Sequence, residues 1–111
     1  MKRRLVQQSL ELATEIHELT KQLSEKDADI SEPINTLSLE TQSHLVRGQK
    51  QEAEELKESL ESAQTSLSKL EEKLLETVKL RKLRKMTINP VLAHMSDLNA
   101  EIAAMSSQIR I

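Results

Sequence analysis

An all-α chain without sheet, an elongated coiled coil of three helical segments, is the fold class this 111-residue sequence predicts, on three observations. No residue is Phe, Trp or Tyr, whereas a globular domain of this size normally packs several aromatics for the area each one buries. Leucine, isoleucine, valine and methionine recur along most of the chain at alternating steps of three and four, the spacing of a heptad seam. The composition, 31% charged with one Gly and two Pro, is that of long helices. Apolar atoms confined to such narrow stripes are expected to be buried by another helix rather than by a core of the chain's own. Folding back of the outer segments on the central one, as helical hairpins, would meet part of that need.

The first segment, about residues 2–28, has Leu5, Leu12 and Leu19 seven apart, interleaved with Ser9, Ile16, Leu23 and Ile30. The seam is clean from Leu5 to Leu23 and weakens at Lys26. A bend or short turn follows over 29–33, where Ser31 suits an N-cap and Glu32 and Pro33 suit the first turn of the next helix. That next helix is expected to be the long one, about 32–87, roughly 80 Å at 1.5 Å per residue. Its best seam is Ala53, Leu56, Leu60, Ala63, Leu67, Leu70 and Leu74. Upstream, Ile34, Leu37, Thr41 and Leu45 follow another phase, and the step across 46–49 reads as a stutter with a bend or change of partner at Gly48. A second phase change follows Leu74, since Leu75, Val78, Leu80, Leu83 and Met86 no longer continue the seam.

The third segment, residues 88–111 with its helix over about 90–110, is expected to open at Asn89-Pro90, an N-cap residue followed by proline at N1. Val91, Met95, Leu98, Ile102, Met105 and Ile109 then keep an unbroken four-three alternation, and Ala100, Ala103 and Ala104 would admit a second helix closely. Both chain ends lie in or beside a seam, which suggests an excerpt of a longer protein or a small subunit whose helix ends rest on partners.

Charge and composition exclude more than they identify. Without Cys there is no disulfide frame, and Gln7, Gln8, Glu11 and Glu15 interrupt any signal-like apolar run after Arg4, so the expectation is an intracellular chain, nuclear or cytoplasmic, with no membrane contact. The net charge of -2 hides a polarity: residues 40–76 hold nine acidic and five basic side chains, residues 77–111 two and six. His17, His44 and His94 stand far apart in sequence and form no zinc-ligand spacing, so no metal is expected. Glu52, Glu54, Glu55, Glu58 and Glu61 read as a solvated face or a surface for a basic partner, because a helix surface offers no concave, water-poor pocket to tune them. No phosphate loop is possible around a single Gly, and neither a catalytic site nor a cofactor or small-molecule site is expected.

Lys79, Arg81, Lys82, Arg84 and Lys85 put five positive charges into seven residues, with only Leu80 and Leu83 between them. Read as helix, they wrap most of the circumference and leave the two leucines on one side. Such a cluster suits nuclear import, DNA phosphates or an acidic partner, and equally a solvated turn near a helix C-terminus. Direct nucleic-acid binding is disfavoured, because stacking aromatics and a basic-zipper pattern are missing.

One stretch resembles a known family. Leu67-Ser68-Lys69-Leu70-Glu71-Glu72-Lys73-Leu74-Leu75-Glu76, then Leu80-Arg81-Lys82-Leu83-Arg84-Lys85 and Ile88-Asn89-Pro90-Val91-Leu92, is similar to fungal members of the centromere protein H family. In that family a charged coiled coil runs into an Asn-Pro-aliphatic-Leu step. The resemblance covers about 30 of 111 residues and implies an inner-kinetochore subunit paired along its length with the related protein K.

The functional expectation is therefore a structural coiled-coil subunit that assembles with other helices in a multiprotein complex, a hetero-oligomer rather than a homodimer. Partner contact would fall on Leu5, Leu12, Ile16, Leu19 and Leu23, on Leu56, Leu60, Leu67, Leu70 and Leu74, and on Val91, Met95, Leu98, Ile102, Met105 and Ile109. The alternative is a dimeric binding module that uses residues 79–85 to contact nucleic acid or an acidic surface. On the first reading the isolated chain is poorly stable or self-associated, since each Leu or Ile contributes about 1.5–3 kcal/mol only once a second helix covers it.

Overall fold

The computed structural model describes residues 2–109, with side chains from Arg4 onward. Four helices follow one another: α1 (Lys2–Thr20), α2 (Ala28–Gly48), α3 (Ala53–Lys79) and α4 (Lys85–Ser107). A 3₁₀ turn at Glu25–Asp27 leads into α2, and no strand occurs among the described residues. The connectors are short enough to reverse the chain each time. The α1–α4 pairing is antiparallel as well, because Arg4 bonds Glu101 at 3.0 Å while Glu15, further along α1, meets His94, earlier in α4, at 2.5 Å. Each helix packs on two neighbours, α1 on α2 and α4, α3 on α2 and α4, and the diagonal pairs stay apart. The result is a four-helix bundle measuring 46 × 21 × 19 Å.

That closure corrects the expectation of an elongated coil. The stripes meet each other. Leu5, Leu12, Ile16 and Leu19 of α1, Ile34 and Leu45 of α2, Leu56, Leu60, Leu67, Leu70 and Leu74 of α3, and Val91, Met95, Leu98, Ile102 and Met105 of α4 form one buried cluster, with Leu23 and Ile109 partly buried against it. Four stripes of heptad width facing a common axis need no aromatic ring and no second chain to leave water. Three polar residues that fall on the stripes are satisfied locally, Ser9 Oγ donating to the Val6 carbonyl at 2.8 Å, Thr41 Oγ1 to that of Leu37 at 2.9 Å and Thr77 Oγ1 to that of Leu74 at 2.5 Å, whereas Ser38 Oγ on α2 is buried with no partner among the described residues.

The central segment, expected as one helix of roughly 80 Å, is two helices in a molecule 46 Å long. Its stutter is a reversal. Gly48 ends α2 on the buried face, where an added Cβ would stand 3.2 Å from Leu56 Cδ1, so the missing side chain lets α3 begin close against α2. Ala53 does not join the α3 seam as expected; it is exposed and opens the helix at φ 51°. Ser59 and Ser66, seven apart on the buried side of α3, keep the α2–α3 contact tight, and Ser66 is only 4% exposed.

The second break has a different cause. After α3 the N–H of Lys82 donates to the Thr77 carbonyl at 2.9 Å and that of Arg81 to the Val78 carbonyl at 3.0 Å. These two bonds form a Schellman stop. Its left-handed residue, ordinarily Gly, is Arg81 at φ 58°. Leu83 then turns inward to the core, and α4 starts at Lys85 rather than at Pro90. Both prolines stand sixth in their helices, Pro33 in α2 and Pro90 in α4. Each leaves one carbonyl without its intrahelical donor, that of Asp29 or Met86, and both of those residues are exposed to water. The proline signal thus marked the right helices but placed their starts about five residues late. The first segment also ends early, at Thr20, and the expected bend at 29–33 is helical. The expected end of the last helix at 110 lies outside the described residues.

Candidate assembly surfaces

With the stripes occupied, whatever the chain binds must be met by its outer surface. Apart from Leu23 and Ile109, which are partly buried, the expected partner residues are core residues in this fold, and none of the fully buried ones offers a side chain to another molecule. Two other features stand out among the described residues.

The first is an apolar face on the α1–α2 hairpin. Thr20 and Asn35 bond across these helices, Asn35 Nδ2 donating to Thr20 Oγ1 at 3.0 Å, which marks the edge of each helix that closes the seam. Steps of seven put Val6 and Ala13 on the same edge of α1 and Gln42 on that of α2. Leu10, Leu39 and Val46 each follow an edge residue by four, so all three sit just outside the hairpin groove on one side of the bundle. They are 47%, 59% and 41% exposed. Sequence reasoning passed over them because it followed the seams; the available signal was apolar residues one helical step off the seam on both strands of a hairpin.

The second feature is the basic connector. Lys79, Arg81, Lys82, Arg84 and Lys85 are all exposed. They do not wrap a helix as expected. They surround the turn between α3 and α4, with Leu83 buried beneath them and Leu80 exposed. Lys79 lies where the α3 dipole favours a cation, whereas Lys85 opens α4, a helix with no acidic residue in its first turn. Lys82 Nζ reaches across to Asp27 Oδ1 at 3.1 Å and ties this connector to the one before α2. That hydrogen bond, with a second one donated by Ser24 Oγ at 3.0 Å, holds the Asp27 carboxyl below its ordinary range. The other four cations have only solvent-screened surroundings to offer.

The remaining candidates stay apart. His17 is exposed on α1, His44 is half-buried on α2 and His94 is exposed and paired with Glu15. Among the described residues no three His, Asp or Glu side chains gather to hold a metal ion. Glu52, Glu54, Glu55, Glu58 and Glu61 are exposed at the start of α3. Concavities are open grooves between neighbouring helices, such as the one where Asp29, Pro33 and Leu37 of α2 face Lys69 and Lys73 of α3. Among the described residues no helix is long and apolar enough to cross a membrane. Neither a protein-family model nor a curated protein matches the chain.

Proposed function

We propose that this chain is a structural subunit, a small four-helix bundle that assembles with other helical proteins through its outer surface. The observation that carries this reading is the exposed apolar face around Leu10, Leu39 and Val46 in a protein whose seams are already filled. A leucine left largely in water forgoes most of the roughly 1.5–3 kcal/mol its burial would contribute, and a cluster of such residues marks a contact surface more often than scattered ones do. The resemblance of residues 67–92 to the centromere protein H family makes the inner kinetochore a candidate setting. Against lengthwise pairing of the family kind, the resembling stretch is a helical hairpin here, α3 turning into α4 at residues 80–84. The test is purification of the untagged protein from its own cells, with and without Leu39→Glu and Val46→Glu, and identification of what accompanies it. Loss of helical partners in the variant supports the reading; identical company for both chains refutes it.

The exposed connector supports a second reading, a module that docks on an acidic surface or nucleic acid through residues 79–85. If these cations contact DNA phosphates, replacing them with Gln flattens the salt dependence of binding by about 0.9 in logarithmic slope for each lost contact. With no aromatic residue to stack on bases, an acidic protein surface suits the connector better.

A further inference from the structure

We propose that Thr87 is a phosphorylation site, read by a protein kinase through the basic connector that precedes it. Arg84 and Lys85 stand three and two residues before its hydroxyl, with Arg81 and Lys82 just upstream, and no other Ser or Thr of the chain has a Lys or Arg at both of those places. Kinases that choose substrates by charge line the groove for this approach segment with carboxylates, and they need its cations free. Lys79, Arg81, Arg84 and Lys85 are exposed and unpaired among the described residues, and only Lys82 is tied, to Asp27. The acceptor is free as well. Thr14, Thr20, Thr41, Thr65 and Thr77 each donate their hydroxyl to a carbonyl about one helical turn earlier, whereas the half-buried Thr87 Oγ1 has no hydrogen-bond partner among the described residues.

A kinase takes its acceptor in an extended segment, and the fold is one helical turn short of offering it. Residues 80–84 already lie outside helix, and Arg84 has extended backbone at φ -85°, ψ 144°. Thr87 is the third residue of α4, so Lys85, Met86 and Thr87 are what must unwind. Lys85 is exposed and Met86 is 83% exposed, so their unwinding uncovers no core side chain. Pro90 has already removed the bond that an N–H there would make to the Met86 carbonyl. Just beyond the opened turn, Asn89 and Pro90 supply a second start, an N-cap residue followed by proline at N1, from which α4 runs on with Ile88 still anchored in the core. Opening of a single terminal turn belongs to the least costly class of local unfolding. The γ-phosphoryl group of a nucleoside triphosphate then passes to Thr87 Oγ1: the bond from phosphorus to the bridging oxygen breaks as the Oγ1–P bond forms, the nucleoside diphosphate leaves, and the hydroxyl proton goes to the kinase's catalytic carboxylate. The phosphate brings about two negative charges, which lowers the net charge of residues 79–87 from +5 to about +3. On the reading of this connector as a dock for an acidic surface, that change weakens the contact; the site itself stands without that reading.

The test is incubation of the full chain, shown to be folded by circular dichroism, with magnesium ATP and the cyclic-AMP-dependent protein kinase, which reads basic residues at these two places, followed by mapping of the phosphate by mass spectrometry. One phosphate is expected, on Thr87, with uptake abolished in Thr87→Ala and roughly tenfold slower in Arg84→Gln with Lys85→Gln. Pro90→Ala gives the Met86 carbonyl its donor and leaves residues 79–88 unchanged, so it should slow the reaction several-fold, an effect that the motif alone would not produce. The chain isolated from its own cells with phosphatases blocked should carry the same phosphate. No phosphate on Thr87, a main site elsewhere, Gln and Ala variants modified as fast as the wild type, or a cellular chain that never carries the group overturns the inference. If Thr87 takes the phosphate and both forms leave immobilised polyglutamate at the same salt concentration, the site stands and the docking reading of the connector falls.

Discussion

Leu70 and Leu39 are the same residue in opposite environments, and replacing each with alanine measures whether the core belongs to one chain. Leu70 is wholly buried where α3 meets the bundle axis, and Leu39 is 59% exposed on α2. Removing a fully buried leucine side chain costs its transfer free energy plus that of the cavity, about 3 kcal/mol within a usual span of 2–5. At Leu39 most of that area is already in water, and the better helix propensity of alanine offsets part of the rest, leaving about 0.5 kcal/mol or less. The difference of roughly 2.5 kcal/mol corresponds to a melting temperature lower by on the order of 10 °C in a domain of this size. Urea and thermal unfolding followed by circular dichroism at 222 nm, at about 1 µM where any weak self-association adds little stability, would read it. The wild type should be folded and cooperative at that dilution. A chain that loses its helices on dilution, or two variants that cost the same, would refute an intrachain core and restore the need for outside helices.

Three further outcomes follow from particular residues. Arg81→Gly should raise stability by up to about 1 kcal/mol, seen as a shift of the urea midpoint, because glycine removes the left-handed strain at φ 58° while leaving the Schellman bonds in place. Ser66→Asp should destabilise by several kcal/mol, because it puts a carboxylate into the tight α2–α3 contact, while Ser107→Asp on an exposed site near the end of α4 should cost within about 0.5 kcal/mol, both read by denaturant titration. For Asp27, the Lys82 and Ser24 hydrogen bonds favour the ionised form in the folded protein, so their contribution is present above the ordinary carboxylate pKa near 4 and is lost as pH falls through the lowered folded value. The stability difference between wild type and Asp27→Asn should therefore shrink from pH 7 towards pH 2–3; a difference that stays constant would show that the latch does not act through the ionised carboxylate.

The residues themselves determined the helical class, the register of most stripes and the existence of a break near Gly48, because a heptad stripe is a local property: its three-four spacing exists only on one face of a helix. Leu5 to Leu19, Leu56 to Leu74 and Val91 to Met105 are buried in the phase their spacing implies. What a stripe lines up against is not local, since the same leucines would be buried equally well by a second chain or by a neighbouring helix of their own. Chain reversal decided it. The reversal at residues 80–84 had no Gly or Pro to announce it, because Arg81 takes up the left-handed conformation at a cost of about 1–2 kcal/mol, which burial of Leu83 and Ile88 beyond the turn offsets. The surface followed from the same closure. Leu10, Leu39 and Val46 became a face only when α1 and α2 were laid side by side, since no spacing within either helix brings residues nearly thirty positions apart onto one surface.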